Sequence, residues 1–292
     1  MNDRLKRMKI DTGSIKSSVV SKTSDSQFFD TKGIEYWAPQ AVGTYLIRIL
    51  PFEVKLQDNP DGRPVGSFWY RRLILTHYSI GEAQKSFLCP TMKGDACPVC
   101  NEVRKLWRGD YESNKQLIQS IKARKSMAYL VYVIDPKTGK SDRKLRVFIW
   151  GVGKFSNVLD NEIKQTDVRN LDFASVDNGK CIKFRVVEDS YSGNKFLKTD
   201  RLDFVENSQF ATLTDDDVDS IVSIDDMLLI PDTDYVDGVM SGRGHRHSDT
   251  TSEDTDSTNE LERVVKENQE VVSEATTNNE ASSQIIDDGD DW

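Results

Sequence analysis

The chain has 292 residues, 30% of them charged, and a formal net charge of −9. Its mean hydropathy is −0.56. No apolar run reaches the length of about eighteen residues that a membrane helix needs, so we expect no membrane partner. The first residues, 1–9, carry charges with no apolar run behind them, which argues against a secretory signal. We therefore expect a cytoplasmic protein.

Charge is divided unevenly along the chain. Of the 48 acidic and 39 basic residues, 23 acidic and 4 basic lie in 212–292, which leaves 25 acidic and 35 basic in 1–211. The body is therefore basic, by a net +10, and the carboxyl-terminal part is acidic, by a net −19. A basic body favours a polyanionic partner, although a solvated surface with a solubilising tail would give the same totals.

The amino-terminal part predicts an arm followed by a β-rich core. Residues 1–26 are basic and then Ser/Thr-rich, which predicts a flexible arm. Within 27–211, short runs rich in β-branched and aromatic residues predict strands of a small barrel or sandwich at 44–50, 68–75, 129–134, 145–150, 181–187 and 196–204. The sequence Ser192-Gly193-Asn194 between the last two predicts a hairpin turn.

The carboxyl-terminal part predicts helix and then disorder. Residues 212–238 are predicted to be helical, because Thr214 can cap a helix whose first turn holds three aspartates. Residues 239–292 are rich in Ser, Thr, Asp, Glu and Asn, which predicts a disordered acidic tail. Its end combines acid with apolar side chains, which favours a docking peptide for partner proteins over a merely solvated end: Asp287, Asp288, Asp290, Asp291 and Trp292.

Three cysteines and a histidine have metal-ligand spacing. His77, Cys89, Cys97 and Cys100 stand in order, and the last two flank Pro-Val in a knuckle that lets both thiolates face one ion. Three thiolates with one imidazole suit zinc, and four protein ligands leave no open position, so we predict one structural Zn²⁺ in a subdomain at about 70–110. A redox Cys-x-x-Cys pair is the alternative. Cys181 lies in a predicted strand and is interpreted as a buried apolar residue.

Cations and aromatic rings are interleaved in the body. In 144–150, alternation would place Lys144, Arg146, Phe148 and Trp150 on one strand face, typical of a base-stacking platform over phosphates, unless the two rings simply close the end of a barrel. Similar mixtures complete the candidate nucleic-acid-binding set: Arg71, Arg72, Trp107, Tyr111, Lys122, Arg124, Lys125, Tyr129, Lys144, Arg146, Phe148, Trp150, Lys183, Arg185 and Tyr191.

Several of these motifs, taken in order, carry a family resemblance. The His/Cys/Cys/Cys order with its Cys-Pro-Val-Cys knuckle, the preceding strand 47–51, and Lys-Ala-Arg-Lys-Ser at 122–126 before a strand ending Asp135-Pro136 resemble the single-stranded DNA-binding proteins of T-even-type bacteriophages. The resemblance covers about residues 34–205. It implies an OB-fold barrel core with an inserted zinc subdomain and a cleft for the strand. It assigns zinc to His77, Cys89, Cys97 and Cys100, and the basic motif to Lys122, Arg124, Lys125 and Ser126.

The resemblance also implies a biological setting. The chain would coat and protect single-stranded DNA without sequence preference during phage replication, recombination and repair, in the cytoplasm of the infected bacterial host. It would bind copies of itself head-to-tail along DNA through the arm, although no close match to the family's arm motif is present in 1–26. The acidic tail would recruit phage replication and recombination proteins.

Two rival classes of function stay open. A zinc-dependent enzyme would need an open coordination position and a general base, and neither the deaminase signature nor a Walker-type phosphate loop is found, so we predict no enzyme. A protein-interaction hub, stapled by zinc and with a DNA-mimicking acidic tail, is the remaining alternative.

Overall fold

The computed structural model describes residues 28–191 and 193–242. The predicted arm, most of the acidic tail and its end from Asp287 to Trp292 lie outside the described residues. None of the helices in the described part is long and apolar enough to cross a membrane.

The protein is a mixed α/β structure, rich in strands and built on an open sheet. Its strands are β1 (Glu35–Trp37), β2 (Gly43–Leu50), β3 (Phe52–Glu53), β4 (Phe68–Trp69), β5 (Arg72–Ile80), β6 (Lys85–Leu88), β7 (Arg124–Ile134), β8 (Arg146–Gly151), β9 (Cys181–Tyr191) and β10 (Asn194–Val205). Its α-helices are α1 (Pro98–Arg108), α2 (Tyr111–Ile121), α3 (Ser156–Gln165), α4 (Asp215–Ser220) and α5 (Thr233–Met240). Short 3₁₀ helices span Pro90–Lys93, Val152–Lys154, Val168–Asn170 and Ile224–Met227.

The main sheet is organised around β7. Its strand order is β1-β8-β7-β2-β9-β10, with β5 paired to the first half of β7 and to β6. Strand β2 pairs with the second half of β7, while β8 runs along the other side of β7. The path ends at β1 and β10 without closing. Among the described residues, the sheet does not close, so the predicted OB-fold barrel is not confirmed.

The sheet is covered on both faces. Side chains alternate along β7, so Leu130 and Tyr132 pack with residues of the segment 210–228, while Tyr129 and Val131 pack against α3. A strand buried on both faces reads as a nearly continuous apolar run, and Met127–Ile134 has that composition.

Two arginines are fully buried in this core. Arg48 donates hydrogen bonds to four main-chain carbonyls, at Ile49, Phe173, Ser175 and Phe210. Burial lowers the pKa of Arg48 to about 10, so the guanidinium stays charged at neutral pH and is neutralised by carbonyl dipoles.

The second buried arginine, Arg72, is held by two carboxylates. Its Nε and Nη2 donate to the two oxygens of Asp225 at 2.7 and 2.8 Å, and its Nη1 donates to Asp61 at 2.7 Å. The pairing joins the start of β5 to the segment 221–230, in which Asp225 lies 153 positions from Arg72 along the chain.

Most predicted strands are confirmed, with changed bounds. The predicted strand 68–75 is two strands, β4 and β5, separated by Tyr70 and Arg71. The predicted 181–204 hairpin is confirmed and is longer than predicted. The predicted helix start at Thr214 is also confirmed: its hydroxyl accepts from Asp217 N, and the Asp217 carboxylate accepts from Thr214 N, forming a capping box. That helix ends at Ser220, and α5 continues past the predicted boundary at 238.

Candidate metal centre and nucleic-acid surface

Four elements bring the predicted metal ligands together. His77 comes from β5, opposite Phe87 of β6. Cys89 follows β6 directly, just before the 3₁₀ helix Pro90–Lys93. Cys97 is the residue before α1, and Cys100 lies in the first turn of that helix. Pro98 fits the first helical position because a backbone N–H there would have no partner within the helix, so proline loses nothing by lacking one.

The ligand atoms have the spacing of a metal site. The Sγ atoms of Cys89 and Cys100 are 3.5 Å apart, and His77 Nε2 lies 3.4 Å from Cys97 Sγ and 3.5 Å from Cys100 Sγ. All four ligand atoms lie within 4.8 Å of one another. A tetrahedral zinc ion would separate sulfur from sulfur by about 3.8 Å and sulfur from nitrogen by about 3.5 Å, given its usual bond lengths. The cluster could therefore hold a metal ion.

The histidine is oriented for ligation. His77 Nδ1 lies 2.8 Å from the carbonyl oxygen of Ile121, which can only accept a hydrogen bond. In the neutral ring, the proton is therefore on Nδ1 and the lone pair of Nε2 faces the thiols. A second partner of this kind fixes the tautomer and the ring plane of a metal-bound histidine.

The cluster is largely buried, and its hydrogen bonds favour a thiolate at Cys89. Hydrogen bonds from Cys100 and Cys97 hold the pKa of Cys89 far below its usual range, and the bond to Cys89 raises the pKa of Cys100. Burial works against the charged imidazole, yet hydrogen bonds to Cys89 and Cys97 raise the pKa of His77 to about 10. A metal ion arriving here would displace these protons, since it binds thiolate and neutral imidazole.

Three of the predicted nucleic-acid contacts are wrong. Arg72, Tyr129 and Phe148 have 0% exposed surface. Arg72 is held by the carboxylates described above, while Phe148 packs with Tyr129 and with Phe155 under α3. A side chain with no exposed surface cannot stack on an incoming base, so these residues stabilise the fold. The predicted platform face of β8 does carry Arg146, Phe148 and Trp150, but α3 and its flanking segment cover its centre.

Three other cations predicted to contact nucleic acid form ion pairs with carboxylates of the protein. Arg71 pairs with Asp160 at 2.5 Å, Arg146 with Asp142 at 2.6 Å, and Arg185 pairs closely with Asp200. Their charge is therefore partly neutralised within the protein.

The remaining candidates have exposed surface. Trp107 is 47% exposed and stacks on Tyr111 at 4.4 Å, at the far end of the α1–α2 pair. Tyr191 is 77% exposed at the tip of the β9–β10 hairpin. Trp150 is half-buried. The exposed cations are Lys122, Arg124, Lys125, Lys144 and Lys183.

The structure adds ring–cation pairs that the sequence reasoning did not select. The Arg63 guanidinium lies 3.5 Å from the centre of the Trp69 ring, and Arg71 lies 5.3 Å from that of Tyr70. At the other end of β5, Arg124 lies 5.2 Å from the Tyr78 ring. Phe68, which directly precedes Trp69 in the chain, is 69% exposed. The aromatic run Phe68-Trp69-Tyr70 was the signal available in the sequence. Only the two arginines that follow this run were predicted to contact nucleic acid.

Comparison with known proteins adds no identification. No model of a known protein family matches the chain, and no curated protein matches it.

Proposed function

We propose that this chain is a sequence-independent single-stranded DNA-binding protein with an OB-fold-type core and one structural zinc ion. Coating of DNA in replication, recombination and repair, in the cytoplasm of a phage-infected bacterium, follows from its resemblance to the T-even phage proteins. Recruitment of partner proteins would then fall to the acidic residues beyond 242.

The strand connections are compatible with those of an opened OB-fold, which supports the proposal. Strands β2, β7, β8, β9 and β10 would be its strands 1 to 5, and α3 lies between the third and fourth. Their order in the sheet is β8-β7-β2-β9-β10, which lacks only a pairing of β8 with β10. OB-folds are partly open Greek-key barrels that bind oligonucleotides on strands 2–3 and on the 1–2 and 4–5 loops.

The observation that carries the proposal is that the ring–cation pairs and an exposed ring lie at the positions corresponding to the binding regions of an OB-fold. Arg63, Trp69 and Tyr70 belong to the connection between β2 and β7, which corresponds to the 1–2 loop. Tyr191 is at the 4–5 loop, and Arg124 opens the second strand. Rings that stack on bases, beside cations that neutralise phosphates, are the elements of sequence-independent single-strand binding.

Zinc would act here as a staple. The subdomain around the four ligands has a buried apolar cluster of only six residues, and two of those are the ligands Cys89 and Cys97. So small a core needs additional stabilisation, which a closed tetrahedral site supplies as part of the folding free energy. Metal analysis of the purified protein should find about one zinc per chain. Zinc should be absent from a Cys97→Ser/Cys100→Ser variant.

The interaction-hub alternative also has an observation in its favour. The pairing of Arg71, Arg146 and Arg185 with carboxylates lowers the positive charge available to a phosphate backbone. A hub stapled by zinc, with an acidic tail that mimics DNA, would have no affinity for oligonucleotides in its body.

Binding of fluorescein-labelled oligo-dT, followed by anisotropy at several salt concentrations, distinguishes the DNA-binding protein from the interaction hub. We expect the full-length protein to bind with an affinity that falls as salt rises. Trp69→Ala should weaken binding by about 1–3 kcal/mol through lost stacking. Arg63→Ala should weaken it and reduce the slope of log affinity against log salt by about one.

The matched control is Arg169→Ala, because the Arg169 side chain is 85% exposed, pairs with Asp167, and lies outside the three OB-type binding regions. It should bind like the unaltered protein. If Arg63→Ala and Arg169→Ala lose oligo-dT affinity equally, the proposed binding surface is refuted and the binding is only a nonspecific electrostatic attraction. No binding by the full-length protein at low salt would favour the hub.

A further inference from the structure

The last helix of the described chain rests on the metal subdomain. Val236 of α5 is fully buried in the same apolar cluster as Cys89 and Cys97. Tyr235 meets Phe87 edge to face, with ring centres 6.3 Å apart. These contacts join α5 to the strand that leads into the ligand Cys89 and to the knuckle.

A polar contact and a close backbone approach fix the same helix. The Thr233 hydroxyl donates to the carbonyl of Ala96, next to the ligand Cys97, at 2.9 Å. At the turn after β5, Gly81 has φ of +67°, and a Cβ there would lie 2.2 Å from the Val239 carbonyl oxygen. Only glycine permits both the turn and this approach. The helix α5 therefore has a specific docking site, formed by Phe87, Ala96 and Gly81, which we call its seat.

The seat is built by residues that the metal would hold in place. Ala96 immediately precedes the ligand Cys97, and Phe87 pairs with the ligand His77 and lies two positions before the ligand Cys89. The cluster that receives Val236 contains little besides the ligands and their neighbours. A metal ion would join the Cys89 and Cys97 segments directly, and structural metal sites provide much of the folding free energy of small subdomains.

We propose that metal occupancy and the docking of α5 are thermodynamically coupled. The metal-bound subdomain forms the seat, α5 occupies it, and the acidic residues that begin beyond 242 are thereby anchored at the metal subdomain. Loss of the metal releases α5 and, with it, the start of the acidic segment. Coupling of this kind is reciprocal for binding free energies, so α5 in its seat must also tighten metal binding by the same factor.

The direct test is hydrogen–deuterium exchange on the full-length protein, zinc-loaded and after zinc removal with EDTA. We expect peptides covering 233–242 and 77–100 to exchange at least about fivefold faster without zinc, the lower end of typical coupling. Peptides of β9 and β10 should not change. Protection of 233–242 that persists while 77–100 opens would overturn the proposal, and so would an equal opening of the whole chain.

The reciprocal test is the equilibrium zinc affinity of full-length variants, measured by competition with a colour-forming chelator. Val236→Asp should weaken zinc binding by about 5- to 150-fold, the usual range of coupling between sites. Its matched control is Val218→Asp, because Val218 lies on α4, is 41% exposed and is not part of the cluster. Val218→Asp should bind zinc with the unaltered affinity.

A milder variant guards against a misfolded Val236→Asp. Thr233→Val keeps the side-chain shape and removes only the hydrogen bond to Ala96. It should weaken zinc binding by about two- to tenfold, the value of one hydrogen bond. Unaltered zinc affinity in both variants would overturn the proposal. None of these measurements contains DNA, so they can fail or succeed independently of the proposed DNA binding.

Discussion

Replacing Arg72 by methionine separates a role in folding from a role in binding. The side chains of Arg72 and Asp225 are 0% and 1% exposed, and Asp61 is 9% exposed. Methionine would leave two carboxylates buried without their cation. Breaking a buried ion pair in this way costs about 3–5 kcal/mol. With a typical slope of about 2 kcal/mol per molar urea, the unfolding midpoint should fall by about 1.5–2.5 M.

The adjacent arginine provides the control. Arg71 is 21% exposed and pairs with a partly exposed carboxylate, Asp160. Arg71→Met should therefore cost less than about 1 kcal/mol. Urea unfolding followed by tryptophan fluorescence measures both variants, and oligo-dT binding is measured where both are folded. An Arg72→Met protein of unaltered stability with lost DNA affinity would refute the reasoning.

Acid should partly rescue the same variant. Burial raises the pKa of Asp61 above its ordinary value, and Arg72 opposes that rise. A carboxyl with a raised folded-state pKa favours the folded state at low pH, and this contribution is lost as pH rises through that pKa. Without Arg72 the pKa of Asp61 should rise further. The stability gap between Arg72→Met and the unaltered protein should therefore narrow as pH falls from neutrality toward the raised pKa.

Other variants test the core and the surface separately. Gly179→Ala should destabilise the protein by about 1–3 kcal/mol or more in thermal unfolding, because the new Cβ would lie 1.8 Å from Arg48 Nη2; a stable variant would show that the Arg48 pocket adapts. Phe148→Ala should lose about 3–5 kcal/mol of stability while its folded form keeps its oligo-dT affinity; an affinity loss would restore the stacking role. Tyr191→Ala should show the reverse pattern, with affinity lower by about 1–3 kcal/mol and an unchanged melting temperature. Thr214→Ala should lower stability by about 0.5–2 kcal/mol through its lost cap, and a full-length protein melting as before would contradict this.

The His/Cys cluster was predictable because its information is local. Four ligands within 24 positions, with a Cys-Pro-Val-Cys knuckle, specify a compact site whatever the rest of the fold does. Strands such as 44–50 were predictable for a related reason, since β-branched composition and a following proline bound them locally.

The helix α2 was missed because it buries little. In α2, only Ile118 is fully buried, so no apolar stripe marks it in the sequence. Its usable signal was the cap: Asp110 accepts a hydrogen bond from Ser113 N. Caps are short motifs and predict a helix weakly without a supporting apolar periodicity.

The errors among the nucleic-acid contacts have a tertiary cause. Alternation in 144–150 assigns side chains to two faces, but it does not say whether a helix covers the second face, and α3 does cover Phe148. Likewise, Arg72 and Arg71 look equivalent in sequence. The residue that distinguishes them, Asp225, is 153 positions away.

The setting of Arg48 defines which substitutions a lineage of this fold can accept. All four acceptors of its hydrogen bonds are main-chain carbonyls, so the side chains at 173, 175 and 210 can change without altering the contact. The guanidinium itself cannot be exchanged for the shorter reach and single charge centre of lysine, and the backbone beside it at Gly179 has no room for a Cβ. Related chains should therefore retain Arg48 and Gly179 as a pair, and lose them together.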